Sequence, residues 1–148
     1  MLNTSELLER LNKDFDGSLA LTEDSQAVSV NKVEIIKLLQ LLKEKHGFEM
    51  LLDITSAEYN DRLEVVYHLM NLENAGVLRV KTGLSKQSPS VASSIPVWKA
   101  ADVMEREIFD LMGIVFEGHG NLKRILCPED FEGHPLRKDF KPDIIERF

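Results

Sequence analysis

At 148 residues, with 43% hydrophobic and 29% charged, the chain has the balance of one ordinary globular domain and not that of a disordered segment. Its formal net charge of −7 and pI of about 5.1 argue against nucleic acid as a partner, because phosphate contacts need clustered Lys and Arg. A single cysteine, Cys127, excludes an internal disulfide and a Cys-rich zinc or iron–sulfur site, and it fits a reducing compartment.

The N-terminus carries Glu6, Glu9 and Arg10 and so lacks a signal-peptide core, and no apolar run approaches the ~20 residues that span a bilayer. Any link to a membrane is expected to run through a partner. Residues 3–14 read as a short amphipathic helix, capped by Thr4 or Ser5, with Leu7, Leu8 and Leu11 as its stripe. Gly17 precedes two short strands, Ser18–Thr22 and Gln26–Val30, separated by the turn Glu23-Asp24-Ser25. Asn31 then caps a second helix, with Glu34 placed to complete a capping box. Its apolar face runs Val33, Ile35, Ile36, Leu38, Leu39, Leu41 and Leu42, and Gly47 stops it.

Three strands follow, Met50–Tyr59, Arg62–Leu72 and Val77–Leu84, with turns at Asn60-Asp61 and Glu73–Gly76. Tight turns between them imply an antiparallel meander with one face left to solvent or a partner. Lys86–Ser94 reads as a Ser-rich loop, Pro96 introduces a third helix from Trp98 to Met112, and Gly113 ends it. The order gives an α+β fold, a two-layer αββαβββα domain over residues 1–112 with a mostly antiparallel mixed sheet. Residues 113–148 form an irregular C-terminal arm of the same structural unit. Phe116, Leu122, Ile125, Leu126, Phe131, Leu136 and Phe140 make that arm too apolar for disorder, so it folds against something or binds something.

The third helix carries Glu105, Arg106, Glu107 and Asp110, with Arg106 and Asp110 at the spacing of a helical ion pair. Three consecutive charges span too much of the helix for all to face water. An exposed charged patch and a buried carboxylate–guanidinium network holding the arm are equally compatible with the pattern. Paired carboxylates in acid–base catalysis have no accompanying nucleophile, phosphate loop or metal cluster. His119, Cys127 and His134 stand at spacings that match no common zinc pattern, and each histidine follows a turn glycine, a place for fixing backbone. Cys127 has no neighbouring base to activate it. Lys123, Arg124, Arg137, Lys138 and Lys141, interleaved with Phe131, Phe140 and Phe148, have the composition of a protein–protein interface.

The stretch Glu105-Arg106-Glu107, two residues, Asp110-Leu111-Met112, six residues, His119, three residues, Lys123, one residue, Ile125-Leu126 is similar to the signature of the 30 kDa (C-type) subunit family of respiratory complex I. Pro128-Glu129-Asp130-Phe131 and Gly133-His134-Pro135-Leu136-Arg137-Lys138-Asp139 extend the match. The resemblance implies a peripheral-arm subunit of a proton-translocating NADH:quinone oxidoreductase, on the cytoplasmic side of the cell membrane. It implies no flavin, iron–sulfur or quinone chemistry in this chain, and hence no catalytic, cofactor or metal residue. The implied partners are the large hydrogenase-like subunit (49 kDa, D-type) and other peripheral-arm subunits. Carried onto this chain, the docking residues are Glu105, Arg106, Glu107, Asp110, His119, Lys123, Arg124, Asp130, Phe131, His134, Pro135, Arg137, Lys138 and Asp139.

Two departures from the family pattern stand out. Gly120 replaces the usual proline after the first histidine, so a looser turn is expected. The sequence stops at Phe148, where many members carry a tail, so the resemblance leaves open how far the arm wraps the partner. The arm is expected to be partly mobile before docking. The same scaffold role in a membrane-bound hydrogenase or ferredoxin-dependent complex is the alternative assembly, and a stand-alone metalloenzyme using His119 and His134 is the rival from another class.

Overall fold

The structure, a computed structural model, describes residues 3–16, 19–22, 24 and 26–142. Gly17, Ser18, Glu23, Ser25 and Phe148, which enter the sequence reading as a break, a strand start, a turn and a terminal aromatic, lie outside the described residues. Helix α1 (Thr4–Asp14) is capped by Asn3, not by Thr4 or Ser5: the Asn3 side chain accepts from the amides of Ser5 and Glu6. Leu7 and Leu11 are its buried stripe. Strands β1 (Leu19–Leu21) and β2 (Ala27–Val30) pair antiparallel.

Asn31 caps the next element as expected, its side chain accepting from the Val33 amide. That element begins as a short 3-10 turn, Lys32–Glu34, before helix α2 (Ile35–Lys45). Glu34 makes no side-chain cap bond, so the capping box is not formed. The tighter winding also turns Val33 outward, where it is 80% exposed. Ile35, Leu38, Leu39 and Leu42 form the buried face, each burial stabilising the fold by about 1.5–3 kcal/mol. Gly47, at φ 78°, ends the helix in the left-handed region, and the Phe48 amide turns back to the carbonyl of Leu42.

Strands β3 (Met50–Glu58), β4 (Leu63–Met70) and β5 (Val77–Leu84) form the expected antiparallel meander. The turn at residues 71–76 is built from asparagine side chains: Asn71 accepts from the Glu73 amide and Asn74 from that of Gly76. Strand β2 joins β5 in parallel, giving one five-stranded mixed sheet of order β1-β2-β5-β4-β3. The period of two is plain in β4, where Leu63, Val65, Tyr67 and Leu69 are all fully buried. They join α1, α2 and the helix that follows in a single hydrophobic cluster. Along the opposite face, Glu64, His68, Met70, Arg79 and Lys81 are half-buried, and His68 pairs with Asp53 of the neighbouring strand.

The Ser-rich loop contains structure that its sequence does not announce. Strand β6 (Ser90–Ala92) pairs in parallel with β7 (Val115–Glu117), placing Val91 beside Phe116. Three residues are too few to show a strand period. Helix α3 (Ala101–Met112) starts three residues later than expected, because residues 95–100 form hydrogen-bonded turns, the first anchored on the Ser94 carbonyl and the second on those of Trp98 and Lys99. The Trp98 indole donates to the carbonyl of Glu49, tying those turns to the start of β3.

Candidate functional site

Helix α3 is the post around which the functional stretch is assembled. Its last four carbonyls need partners from outside the helix ladder. Gly113, at φ 74°, donates its amide to Phe109, and the arm supplies the rest. Arg124 and the His134 ring both donate to the carbonyl of Asp110, the Leu136 amide to that of Leu111, and Arg137 to that of Met112. Two of these donors are guanidinium groups at the negative end of the helix dipole. A side chain at Gly113 would meet His134 at 2.6 Å, so glycine both ends the helix and admits the arm across it.

Asp110 is fully buried and holds the arm from the side. One carboxylate oxygen accepts from Arg124 at 2.7 Å; the other accepts from the consecutive amides of Ile125, Leu126 and Cys127 at 3.0, 2.7 and 2.9 Å. Burial alone pushes this carboxyl up, but the Cys127 amide, Arg124 and the other two amides together hold it well below the ordinary carboxylate range. The expected Arg106–Asp110 ion pair is therefore not formed. Asp110 pairs with Arg124, and Arg106 reaches along the arm to donate to the carbonyls of Lys123 and Arg124. Of the two equal readings of these charges, the buried network that holds the arm is the one the fold adopts.

Glu105, also fully buried, ties α3 to the segment after β6. It accepts from the Ser93 hydroxyl at 2.6 Å and from the Ser94 amide and hydroxyl at 2.7 and 2.9 Å. Burial dominates here and pushes the carboxyl above its ordinary range, against those three donors. Burial first, and the charge of Glu105 second, also raise the pKa of the enclosed Tyr67 hydroxyl. Glu107 is exposed.

His119 and His134 serve opposite ends of α3. The His119 Nδ1 accepts from the Asn121 amide, so its Nε2–H donates to the carbonyl of Asp102, 3.0 Å from that residue's carboxylate. His134 packs at Asp110, eight residues on and so about 12 Å along the helix. The fold does not bring the two rings to one ion. Among the described residues no group of three or more His, Cys, Asp or Glu is arranged to hold a metal. Burial first, and its bond to Asp110 second, push the Cys127 thiol up, away from the reactive thiolate.

The end of the arm has a second carboxylate anchor, absent from the sequence reading. Glu58, on β3, accepts from the Lys138 amide at 2.7 Å and lies 3.0 Å from the Lys86 ammonium and 3.7 Å from Arg137. The Lys138 amide leads the causes that hold its carboxyl below the ordinary range. Phe131 stacks on Phe140 at 5.9 Å and under Arg124 at 5.6 Å. Pro135 is half-buried, and Lys123, Asp130, Lys138 and Asp139 are exposed. Of the fourteen residues singled out by sequence, Glu105, Arg106, Asp110, His119, Arg124, His134 and Arg137 are spent on holding the chain to itself. Ser93, Ser94, Asp102, Glu58 and Lys86 are the partners that sequence reading missed. The Ser-Ser pair inside a serine-rich loop was the one available hint.

Residues 28–144 match the family described as respiratory-chain NADH dehydrogenase, 30 Kd subunit. The chain is 46% identical over 143 residues, 95% of each protein, to the NADH-quinone oxidoreductase C subunit of Moorella thermoacetica. It is 41% identical over 116 residues to the NADH-quinone oxidoreductase C/D subunit of Bdellovibrio bacteriovorus, a match covering 76% of this chain and 20% of that protein. Among solved structures, a chain of the membrane-bound sulfane sulfur reductase, an archaeal respiratory membrane complex, superposes with a TM-score of 0.78 at 25% identity, covering 97% of this chain and 94% of that one. No helix among the described residues is long and apolar enough to cross a membrane.

Proposed function

The chain belongs to the family of the 30 kDa subunit of the respiratory-chain NADH dehydrogenase, and from that premise we propose that it is a non-catalytic scaffold of the peripheral arm of a proton-translocating NADH:quinone oxidoreductase. It lies on the cytoplasmic side of the membrane, carries no cofactor, and presents its arm to the large, D-type partner that shapes the quinone site. One observation carries this reading: the buried carboxylates Glu105 and Asp110 accept from donors of this same chain at both oxygens. Groups so engaged position a surface; they are not poised to exchange a proton with a substrate. The partner is supported by the Bdellovibrio relative, whose name joins the C and D subunits in one polypeptide, so that the two are covalently tethered. Exposed Glu107, Lys123, Asp130, Lys138 and Asp139 supply the polar rim of the docking face.

The test is native mass spectrometry of the membrane complex isolated through a tag on the large subunit. The expected result is this chain at one copy beside that subunit and a chain carrying the NADH-oxidising flavin; its absence overturns the scaffold role. The alternative assembly, the same scaffold in a ferredoxin-dependent or hydrogenase-type complex, is kept open by the likeness to a chain of an archaeal respiratory membrane complex that is named as a sulfane sulfur reductase and not as an NADH dehydrogenase. The same experiment separates the two, because that assembly lacks the flavin-bearing NADH-oxidising chain.

A further inference from the structure

Among the described residues, the arm buries Phe116, half-buries Phe131 and Phe140, and leaves two leucines out. Phe116 and Ile114 lie in the core, Leu122 packs against it, and Phe131 and Phe140 stack on each other, whereas Leu126 and Leu136 are each 61% exposed. A lone exposed leucine is ordinary on a protein surface. These two differ in how they are held. The Leu126 amide donates to the buried carboxylate of Asp110 at 2.7 Å, and the Leu136 amide donates to the carbonyl of Leu111 at 2.9 Å. Both backbones are thus pinned to consecutive residues at the end of one helix, and Arg124, bridging Asp110 to the Gly133 carbonyl, braces the chain between them. Apolar side chains presented on backbone already ordered lose little conformational freedom on association, which is the property of interface anchors.

We propose that Leu126 and Leu136 are the apolar anchors of the arm's interface, each entering an apolar pocket of the large subunit. Asp110, Arg124, His134 and Arg137 are then positioning residues that hold the anchors out without touching the partner. The inference rests on the docking role proposed above. The tether between the corresponding subunits in the C/D relative selects the large subunit as occupant over a second copy of this chain.

The experiment compares the whole chain with its Leu126→Ser, Leu136→Ser and double variants for binding to purified large subunit, by calorimetry and by co-purification. Each leucine stands mostly in water, so the double variant is expected to keep the wild-type circular dichroism and melting temperature. Its affinity is expected to fall at least about tenfold, with the single variants between. Equal binding by wild type and double variant overturns the anchor assignment and leaves the docking role standing. Failure of the wild-type chain itself to bind removes the docking role, and the anchors with it. A melting temperature lowered by several degrees in the double variant makes the leucines structural and overturns the assignment. So does a wild-type self-association that the double variant abolishes, since the occupant is then a second copy.

Discussion

Two carboxylates five residues apart on one helix titrate in opposite directions, and their donors explain why. Asp110 collects three backbone amides and a guanidinium, enough to overcome burial, while Glu105 has one amide and two hydroxyls, and burial prevails. The signs of their contributions to stability follow. Asp110 has a folded pKa below its ordinary 3.8, so its stabilisation is fully present above that pH and is lost as pH falls below it. Glu105 has a folded pKa above its ordinary 4.5, so the folded state binds the extra proton. Stability from that site is greatest below 4.5 and declines as pH rises through the folded value. Urea melts as a function of pH separate the two. Asp110→Ala is expected to cost about 3–5 kcal/mol at neutral pH, because it strands Arg124 beside three unpaired amides, and to make the acid limb shallower, leaving the share that Glu58 contributes. Glu105→Gln can keep the three bonds to Ser93 and Ser94, and it is expected to abolish the decline above 4.5; a profile as steep as wild type would contradict this.

At the scale of elements, α3 and its carbonyl end decide where the arm lies. Gly113→Ala is expected to cost about 1–2 kcal/mol for the left-handed backbone alone, and more as the new methyl displaces His134. Amide exchange should then quicken at Leu136, whose donor bond runs to the neighbouring Leu111 carbonyl. Much of this level was legible in the sequence. Gly113 and Gly47 mark helix ends by a local rule, Asn31 marks a helix start, and the alternation in 63–70 marks a half-buried strand. What escaped is what local pattern does not encode. The β6–β7 pair is too short to show a period, and Asn3 wins the cap from Thr4 and Ser5 only because of where the first turn begins.

Across the described residues, two carboxylates drawn from distant parts of the chain accept backbone amides of the arm, Asp110 on α3 and Glu58 on β3. Glu58 and Lys138 are 80 residues apart, and nothing near Glu58 in sequence distinguishes it from any strand-end glutamate. The family signature in this stretch was readable, and a buried charge network was one of two equal readings, but which charges turn inward was not, because a helical charge shows its partner only when the tertiary fold supplies one. Partial mobility of the arm, expected from its sparse secondary structure, meets its test in amide exchange. Slow exchange at Ile125, Leu126 and Cys127 in the free chain is expected from their bonds to Asp110, and rapid exchange there would count against the ordered backbone on which the Leu126 anchor rests. Glu58→Gln is expected to quicken exchange at Lys138 while leaving residues 125–127 unchanged. Arg137→Ala, which removes donors to Met112 and Lys86 carbonyls, is expected to weaken association with the large subunit while the sheet melts as before.

The carbonyl end of α3 also sets a sequence of events in time. Helix α3 and the five-stranded sheet belong to the first 112 residues, but the groups that finish the helix end, from Arg124 to Arg137, and the Lys138 amide that reaches Glu58 are synthesised afterwards, roughly 1–5 s later at ordinary ribosome speeds. Until they arrive, Asp110 is a carboxylate without its donors and Glu58 lacks its amide. The strands of that sheet are therefore made before the arm that we propose docks, and a chain interrupted at residue 112 lacks both Leu126 and Leu136. On the proposed docking role, assembly has to wait for synthesis of the arm.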